Sequence, residues 1–249
     1  MDTNGTEDSQ ARIATPLESR AEVRRLLRVY QDYARRGFGQ SKWSPVNRGN
    51  LAIQRERDLQ TRAVLAGAGF LPLSGKRILE VGCGAGEHLA ALQYLGAAPS
   101  ALVGIDLIPD RLRAARARFP NIAFPRANAE ALPFADGAFD LVAVLTVFTS
   151  ILSRTMRANS CREIQRVLRP GGGVLWYDFR LDNPCNRQVR GINRREIRRL
   201  FPGFTLSLRT VSLLPPLARH LGRLTELLYP WLRRLPFLRS HYLGILIKP

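Results

Sequence analysis

The chain has 249 residues, long enough for one α/β domain with additions, and its 45% apolar content can fill a substantial core. Its formal net charge of +18 favours anionic partners such as nucleic acid, acidic lipid or an anionic substrate. The three cysteines, Cys83, Cys161 and Cys185, have no metal-ligand spacing, so no metal site is expected and a reduced, cytoplasmic setting fits.

The positive charge is nearly all arginine, because Lys42, Lys76 and Lys248 are the only lysines. Arginine with abundant alanine also follows from GC-rich coding, so the charge does not by itself establish a partner. The polar N-terminus shows no apolar signal core, and no uninterrupted apolar stretch is long enough to cross a bilayer.

Residues 1–16 read as a disordered tail. Residues 17–70 read as a helical cap. Its first helix, 17–36, gathers Leu17, Ala21, Leu26, Leu27, Tyr30 and Ala34 on one side and arginines on the other. Gly37 and Gly39 end it, a linker with Trp43, Pro45 and Asn47 follows, and a second helix runs from about Asn50 to Ala66. Residues 71–249 form the main domain. Strands are predicted near 77–81, 101–106, 121–125, 139–146 and 173–179, and helices near 86–95, 110–118, 157–168 and 193–200. Two further strands, near 204–212 and 241–247, complete a doubly wound, mostly parallel seven-stranded α/β sheet. Between them lies an insertion, about 213–239, with Leu217, Leu221, Leu224, Leu228, Trp231 and Leu232 at helical spacing and arginines between them. Three readings of it compete: a lid on the acceptor site, plain core packing, or an interfacial membrane helix making peripheral contact.

Chemistry concentrates where the strands end. The run Arg77-Ile78-Leu79-Glu80-Val81-Gly82-Cys83-Gly84-Ala85-Gly86-Glu87 is a strand, a tight turn and a helix start. Such a turn lets a nucleotide-like ligand lie against bare backbone. A dinucleotide fingerprint would need its third glycine at position 87, which is Glu87. The second strand, Leu102-Val103-Gly104-Ile105, ends in Asp106, placed to accept hydrogen bonds from ribose hydroxyls.

The pattern Glu-x-Gly-x-Gly-x-Gly resembles motif I of the class I S-adenosylmethionine-dependent methyltransferases. The resemblance covers about residues 76–180 through four ordered motifs. The second is Asp106. The third is Asn128-Ala129 within Ala127–Phe134, where related enzymes carry Asp-Ala. The fourth is the run Phe139–Val144, together with the helix, turn and strand over 163–175. It implies a Rossmann-like methyltransferase fold, S-adenosyl-L-methionine as cofactor, and a cap over the cofactor mouth. It also implies cofactor contacts from Glu80, Gly82, Cys83, Gly84, Gly86, Asp106, Leu107, Asn128, Ala129 and Thr146. An Asx-turn is the other reading of Asn128.

For the acceptor side, the segment Trp176–Arg187 follows a central strand and is dense in polar groups. Asp178 is the candidate to orient or deprotonate an acceptor hydroxyl, and His241, opening the last strand, is the alternative base. The bulk pattern resembles the quinone-biosynthesis and natural-product methyltransferases. More narrowly, Trp176-Tyr177-Asp178, Asn183-Pro184, Leu200-Phe201-Pro202, Leu214-Pro215-Pro216 and His241-Tyr242 resemble methyltransferases of bacterial polysaccharide or glycosylated-metabolite pathways, which suggests O-methylation of a sugar, glycan-linked or other small-molecule hydroxyl. An RNA-modifying methyltransferase using the basic surface is the second reading. A non-catalytic cofactor-binding partner subunit is the third. The exocyclic-amine signature is absent after the fourth motif, where the residues are Leu145-Thr146-Val147-Phe148, which disfavours nucleic acid as acceptor.

Overall fold

Short apolar runs become the parallel half of a six-stranded sheet in the computed structural model, which describes residues 17–37, 44, 46–184 and 186–249. The expected tail 1–16, Trp43, Pro45 and Cys185 lie outside the described residues. Helices α1 (Leu17–Arg35) and α2 (Arg48–Gly67) precede β1 (Ile78–Val81), α3 (Glu87–Ala91), β2 (Leu102–Ile105) and α4 (Pro109–Arg118). Then come β3 (Phe139–Leu145), α5 (Arg154–Val167), β4 (Leu168–Phe179), α6 (Arg194–Leu200) and β5 (Thr205–Leu213). The chain finishes with α7 (Pro215–His220), α8 (Thr225–Leu232) and β6 (Arg239–Ile247).

The strand order is β2-β1-β3-β4-β6-β5, parallel from β2 to β4 and antiparallel on either side of β6. The chain leaves β1 to one side for β2 and returns on the other for β3. That reversal opens a crevice at the carboxyl ends of β1 and β3. β1 is buried along its whole length because helices cover both faces of the sheet. Leu65, Leu73, Ile78, Leu89, Leu102 and Leu175 fill one side. Leu79, Val142, Ile164, Trp176, Ile197 and Phe201 fill the other, where Trp176 stacks on Phe148 with ring centroids 5.1 Å apart.

The described sheet has six strands, not seven. The segment expected as a strand at 121–125 makes only isolated bridges, Val103 with Ala123 and Asp106 with Arg126. Pro120 and Pro125 bracket it, and proline has no N–H to give a ladder. The expected helix at 86–95 shortens to α3 and passes into a 3-10 turn over Leu92–Leu95. The helix expected at 157–168 starts earlier, at Arg154, because Ser153 caps it and accepts from the Met156 N–H at 3.1 Å.

The β5–β6 connection packs on α2 through Ile53, Leu213, Ala218 and Tyr229. Contact is close enough that a Cβ on Gly49 would sit 2.0 Å from the Ala218 carbonyl oxygen. Tyr229 donates to Glu56 Oε2 at 2.6 Å, which fastens α8 to α2. The far side of the connection leaves Leu224, Leu227, Trp231 and Phe237 exposed.

Candidate active site

The turn after β1 takes three positive-φ glycines, Gly82 at +70°, Gly84 at +57° and Gly86 at +82°. A side chain is unfavourable at each of these backbone positions. Space differs among them. A Cβ on Gly82 would meet Val147 Cγ2 at 2.7 Å, whereas nothing lies within 4 Å of one on Gly84. Gly84 therefore presents open backbone, and Gly82 lets the loop after β3 close against the turn.

Asp106 ties the turn down. Its Oδ2 accepts from the Gly84 N–H at 3.0 Å and its Oδ1 from the Ile108 N–H at 2.9 Å. Each oxygen keeps a second lone pair for another donor. Glu80, one strand-turn earlier, is 3% exposed; its Oε1 lies 3.2 Å from His88 Nδ1, and its Oε2 has no hydrogen-bond partner among the described residues. Cys83 turns inward against the Cα of Gly104, which has no room for a Cβ there. Burial, with the nearby Glu80 and Asp106 charges, pushes its thiol well above the usual range.

Val81, Gly82, Asp106, Leu107, Asn128, Ala129 and Thr146 line one pocket at the ends of β1, β2 and β3. Asn128 is partly committed: its Oδ1 accepts from the Glu130 N–H at 3.2 Å, which is an Asx-turn. The loop it belongs to is held from α5, where Glu163 accepts from the Leu132 N–H and Arg166 donates to the carbonyls of Leu132 and Phe134. Thr146 adopts φ of +55°, an unusual conformation for a β-branched residue, at the mouth between β3 and β4.

The two candidate bases do not meet. Asp178 and His241 sit on adjacent antiparallel strands, but His241 is in register with Phe179, so alternation sends the two side chains to opposite faces of the sheet. Neither lines the pocket. Asp178 is buried with its oxygens occupied: Oδ1 accepts from Thr149 Oγ1 at 2.5 Å and the Phe179 N–H at 2.9 Å, and Oδ2 from the Thr149 N–H at 3.2 Å. Burial raises its carboxyl to about 6 against these hydrogen bonds. His241 is packed against Tyr177 and Phe179, with ring centroids 4.5 and 3.9 Å away, and burial lowers it to about 3.

Several pocket residues had no marker in the sequence. Leu26 and Tyr30 of α1 line the pocket, as do Arg111, Ser150, Ile151 and Met156. The Tyr30 hydroxyl lies 3.1 Å from Ser150 Oγ, and the Arg111 guanidinium stands 4.3 Å over its ring. The apolar side of α1 was legible, but nothing local said which surface it would cover.

A doubly wound sheet, a glycine turn clasped by the acid of the next strand, and a pocket at the switch point match the arrangement of class I S-adenosylmethionine-dependent methyltransferases. Residues 78–172 match the family model described as a methyltransferase domain. The cofactor of the domain is S-adenosyl-L-methionine. The chain is 34% identical over 145 residues to the phthiotriol/phenolphthiotriol dimycocerosates methyltransferase of Mycobacterium leprae, covering 50% of this chain and 48% of that one. It is 42% identical over 113 residues to the fatty-acid O-methyltransferase of Mycolicibacterium smegmatis, covering 43% and 39%. The chain thus spans half or less of the length of these relatives. Among solved structures, it resembles the Haemonchus contortus phosphoethanolamine N-methyltransferase 2 in complex with S-adenosyl-L-methionine, at TM-score 0.57 and 19% identity over 77% of this chain and 52% of that one. No described helix is long and apolar enough to cross a membrane.

Proposed function

We propose that the chain is a methyltransferase acting on a hydroxyl of a sugar, a glycan-linked group or another small molecule. The observation that carries the transferase reading is the clasp between Gly84 and Asp106 at the rim of the switch-point pocket. An oxygen acceptor is supported by the likeness to a fatty-acid O-methyltransferase and to an O-methyltransferase of Penicillium expansum, 31% identical over 134 residues.

The residues fit the cofactor. The orphaned Glu80 Oε2 suits an ammonium group, and the open backbone of Gly84 leaves room for the aminoacyl end. Asp106 keeps acceptor capacity for ribose hydroxyls. Leu107 and Ala129 would flank the base, with Asn128 offering the one amide hydrogen it does not donate to Glu130 Oε2. Thr146 stands on the side where β3 and β4 end. When bound, the cofactor supplies a methyl group already activated by the sulfonium charge. The chain has then to orient the acceptor and exclude water. In this reading α1 caps the pocket through Leu26 and Tyr30, and Asp178 is a positioning residue that fixes the 146–150 loop through Thr149.

A lipid-borne acceptor is the particular version that one feature favours. β5 ends and β6 begins at the end of the sheet where the parallel strands finish, so their connection lies on the same end of the sheet as the pocket, with no residue of its own in the pocket lining. Its exposed Leu224, Leu227, Trp231 and Phe237, with Arg234 4.6 Å over the Trp231 ring, suit peripheral contact with a lipid surface.

Transfer of labelled methyl from S-adenosylmethionine into fractionated cell extract tests the reading. Label is expected as an alkali-stable ether in the lipid or glycan fraction. Label in RNA would replace the small-molecule reading, and cofactor binding without label anywhere would favour a non-catalytic subunit.

A further inference from the structure

Five arginines and one glutamate line a groove between α5 and α6 that the transferase reading leaves unused. Arg154 and Arg157 come from the start of α5, Arg195, Glu196 and Arg199 from α6, and Arg190 from the segment leading into it. Glu196 is the sole carboxylate in the lining. It accepts from Arg157 Nη1 at 2.5 Å, and Arg190 Nη2 lies 3.4 Å away. Arg154, Arg195 and Arg199 have no carboxylate partner among the described residues.

Arg157 sets this groove apart from a merely basic surface. Its side chain is 1% exposed, its Nε donates to the Ile151 carbonyl at 2.5 Å, and its Nη2 is buried without a partner. A guanidinium stays protonated and carries five N–H donors, so an unmet buried donor is costly. Gathering unpaired like charges around it adds repulsion. A bound anion with several oxygens relieves both. The groove also shares a wall with the main pocket: Ile151, which holds Arg157, lines that pocket, and the Arg190 N–H donates to the Thr149 carbonyl at 2.9 Å.

We propose that this groove is a binding site for a phosphate or diphosphate group, free or carried as an ester, with Arg157 as buried anchor and Arg154, Arg195 and Arg199 as outer clamp. The planar fork of arginine matches pairs of phosphate oxygens. A diphosphate offers enough oxygens to engage several forks at once. That the group belongs to the acceptor rests on the transferase reading; that the groove binds it does not.

Calorimetric titration of the full chain with inorganic pyrophosphate at fixed ionic strength tests the site. Saturable binding at one equivalent is expected. Arg195→Ala with Arg199→Ala should weaken it by at least about tenfold, the loss of two charge-assisted contacts. Arg62→Ala with Arg113→Ala removes equal charge from exposed positions elsewhere and should change it by less than about twofold. Affinity for S-adenosylmethionine, read on the same samples, should be unchanged in both. A chain that binds pyrophosphate in this way and transfers no methyl group keeps the anion site and loses the transferase reading. Displacement of pyrophosphate by uridine diphosphate glucose identifies an ester-borne group, and failure to displace identifies free diphosphate. Absence of saturable heat overturns the proposal. So does an equal loss in both double variants, and so does binding of a short RNA without binding of pyrophosphate.

Discussion

The backbone N–H of Gly84 donates to Asp106 Oδ2 at 3.0 Å, so the carboxylate ending β2 fastens the turn that follows β1. One side chain thereby shapes the turn and faces the pocket. Asp106→Asn would set an amide N–H against either the Gly84 or the Ile108 N–H. It should weaken S-adenosylmethionine binding by about tenfold or more, since hydrogen bonds to charged groups contribute about 1.5–3 kcal/mol. Asp106→Ala should do so more strongly and also lower Tm. Calorimetry and thermal melts check both, and an unchanged Kd would remove Asp106 from the ribose role.

Glu80 is expected to separate stability from binding. A buried carboxylate with one unpartnered oxygen is unfavourable to the fold. Glu80→Gln should leave Tm unchanged or raised while weakening cofactor affinity by roughly tenfold, the cost of losing one charge-assisted contact. A variant with lower Tm and normal affinity would assign Glu80 to the fold alone.

Asp178 and His241 should give opposing pH slopes. The Asp178 carboxyl, raised from 3.8 to about 6, contributes stability that is complete below its unfolded value and lost as pH rises through about 6. His241, lowered from 6.5 to about 3, contributes stability that is complete above its unfolded value and lost as pH falls toward about 3. The two largely cancel between about 4 and 6. Relative to wild type, Asp178→Asn should gain ~3 kcal/mol as pH rises across that window, and His241→Gln should gain as pH falls. Urea melts at stepped pH read both. Parallel curves for wild type and variants would show that neither group titrates as its burial implies.

Glu22 is expected to govern how long the cofactor stays. Its Oε1 accepts from the Leu152 N–H at 2.5 Å, its Oε2 pairs with Arg25 at 2.8 Å, and Arg25 Nη2 reaches the Ser150 carbonyl at 2.5 Å. Burial raises the Glu22 carboxyl, but these donors outweigh it and hold the pKa below its usual 4.5. The grip of α1 is thus present above that value and is lost as pH falls. Glu22→Ala should speed S-adenosylmethionine release several-fold with little change in the association rate. Stopped-flow fluorescence would settle it, and an unchanged release rate would mean α1 is no cap.

Much of the fold was legible because a strand buried on both faces is written as a nearly continuous apolar run, as in Ile78–Val81, broken only by Glu80, and Phe139–Leu145, broken only by Asp140. The segment 121–125 misled because Ile122 and Phe124 are buried without a ladder, and the prolines that deny it one mattered more than its apolar content. Asp106 was readable from its place after a strand. The faces of Asp178 and His241 were not, because they follow from the pairing of Phe179 with His241 across 62 positions of chain. Nor could any local pattern show that Tyr30 meets Ser150.

The contact of Gly49 with the Ala218 carbonyl joins an early helix to a late excursion between two strands. Neither segment falls within residues 78–172, the stretch that defines the family. Removing the N-terminal flank alone would bare Leu213 and Ala218, and removing the C-terminal flank alone would bare Ile53. The two flanks therefore pack as a matched pair, and a graft of either one onto a relative's core is expected to hold only if its counterpart travels with it.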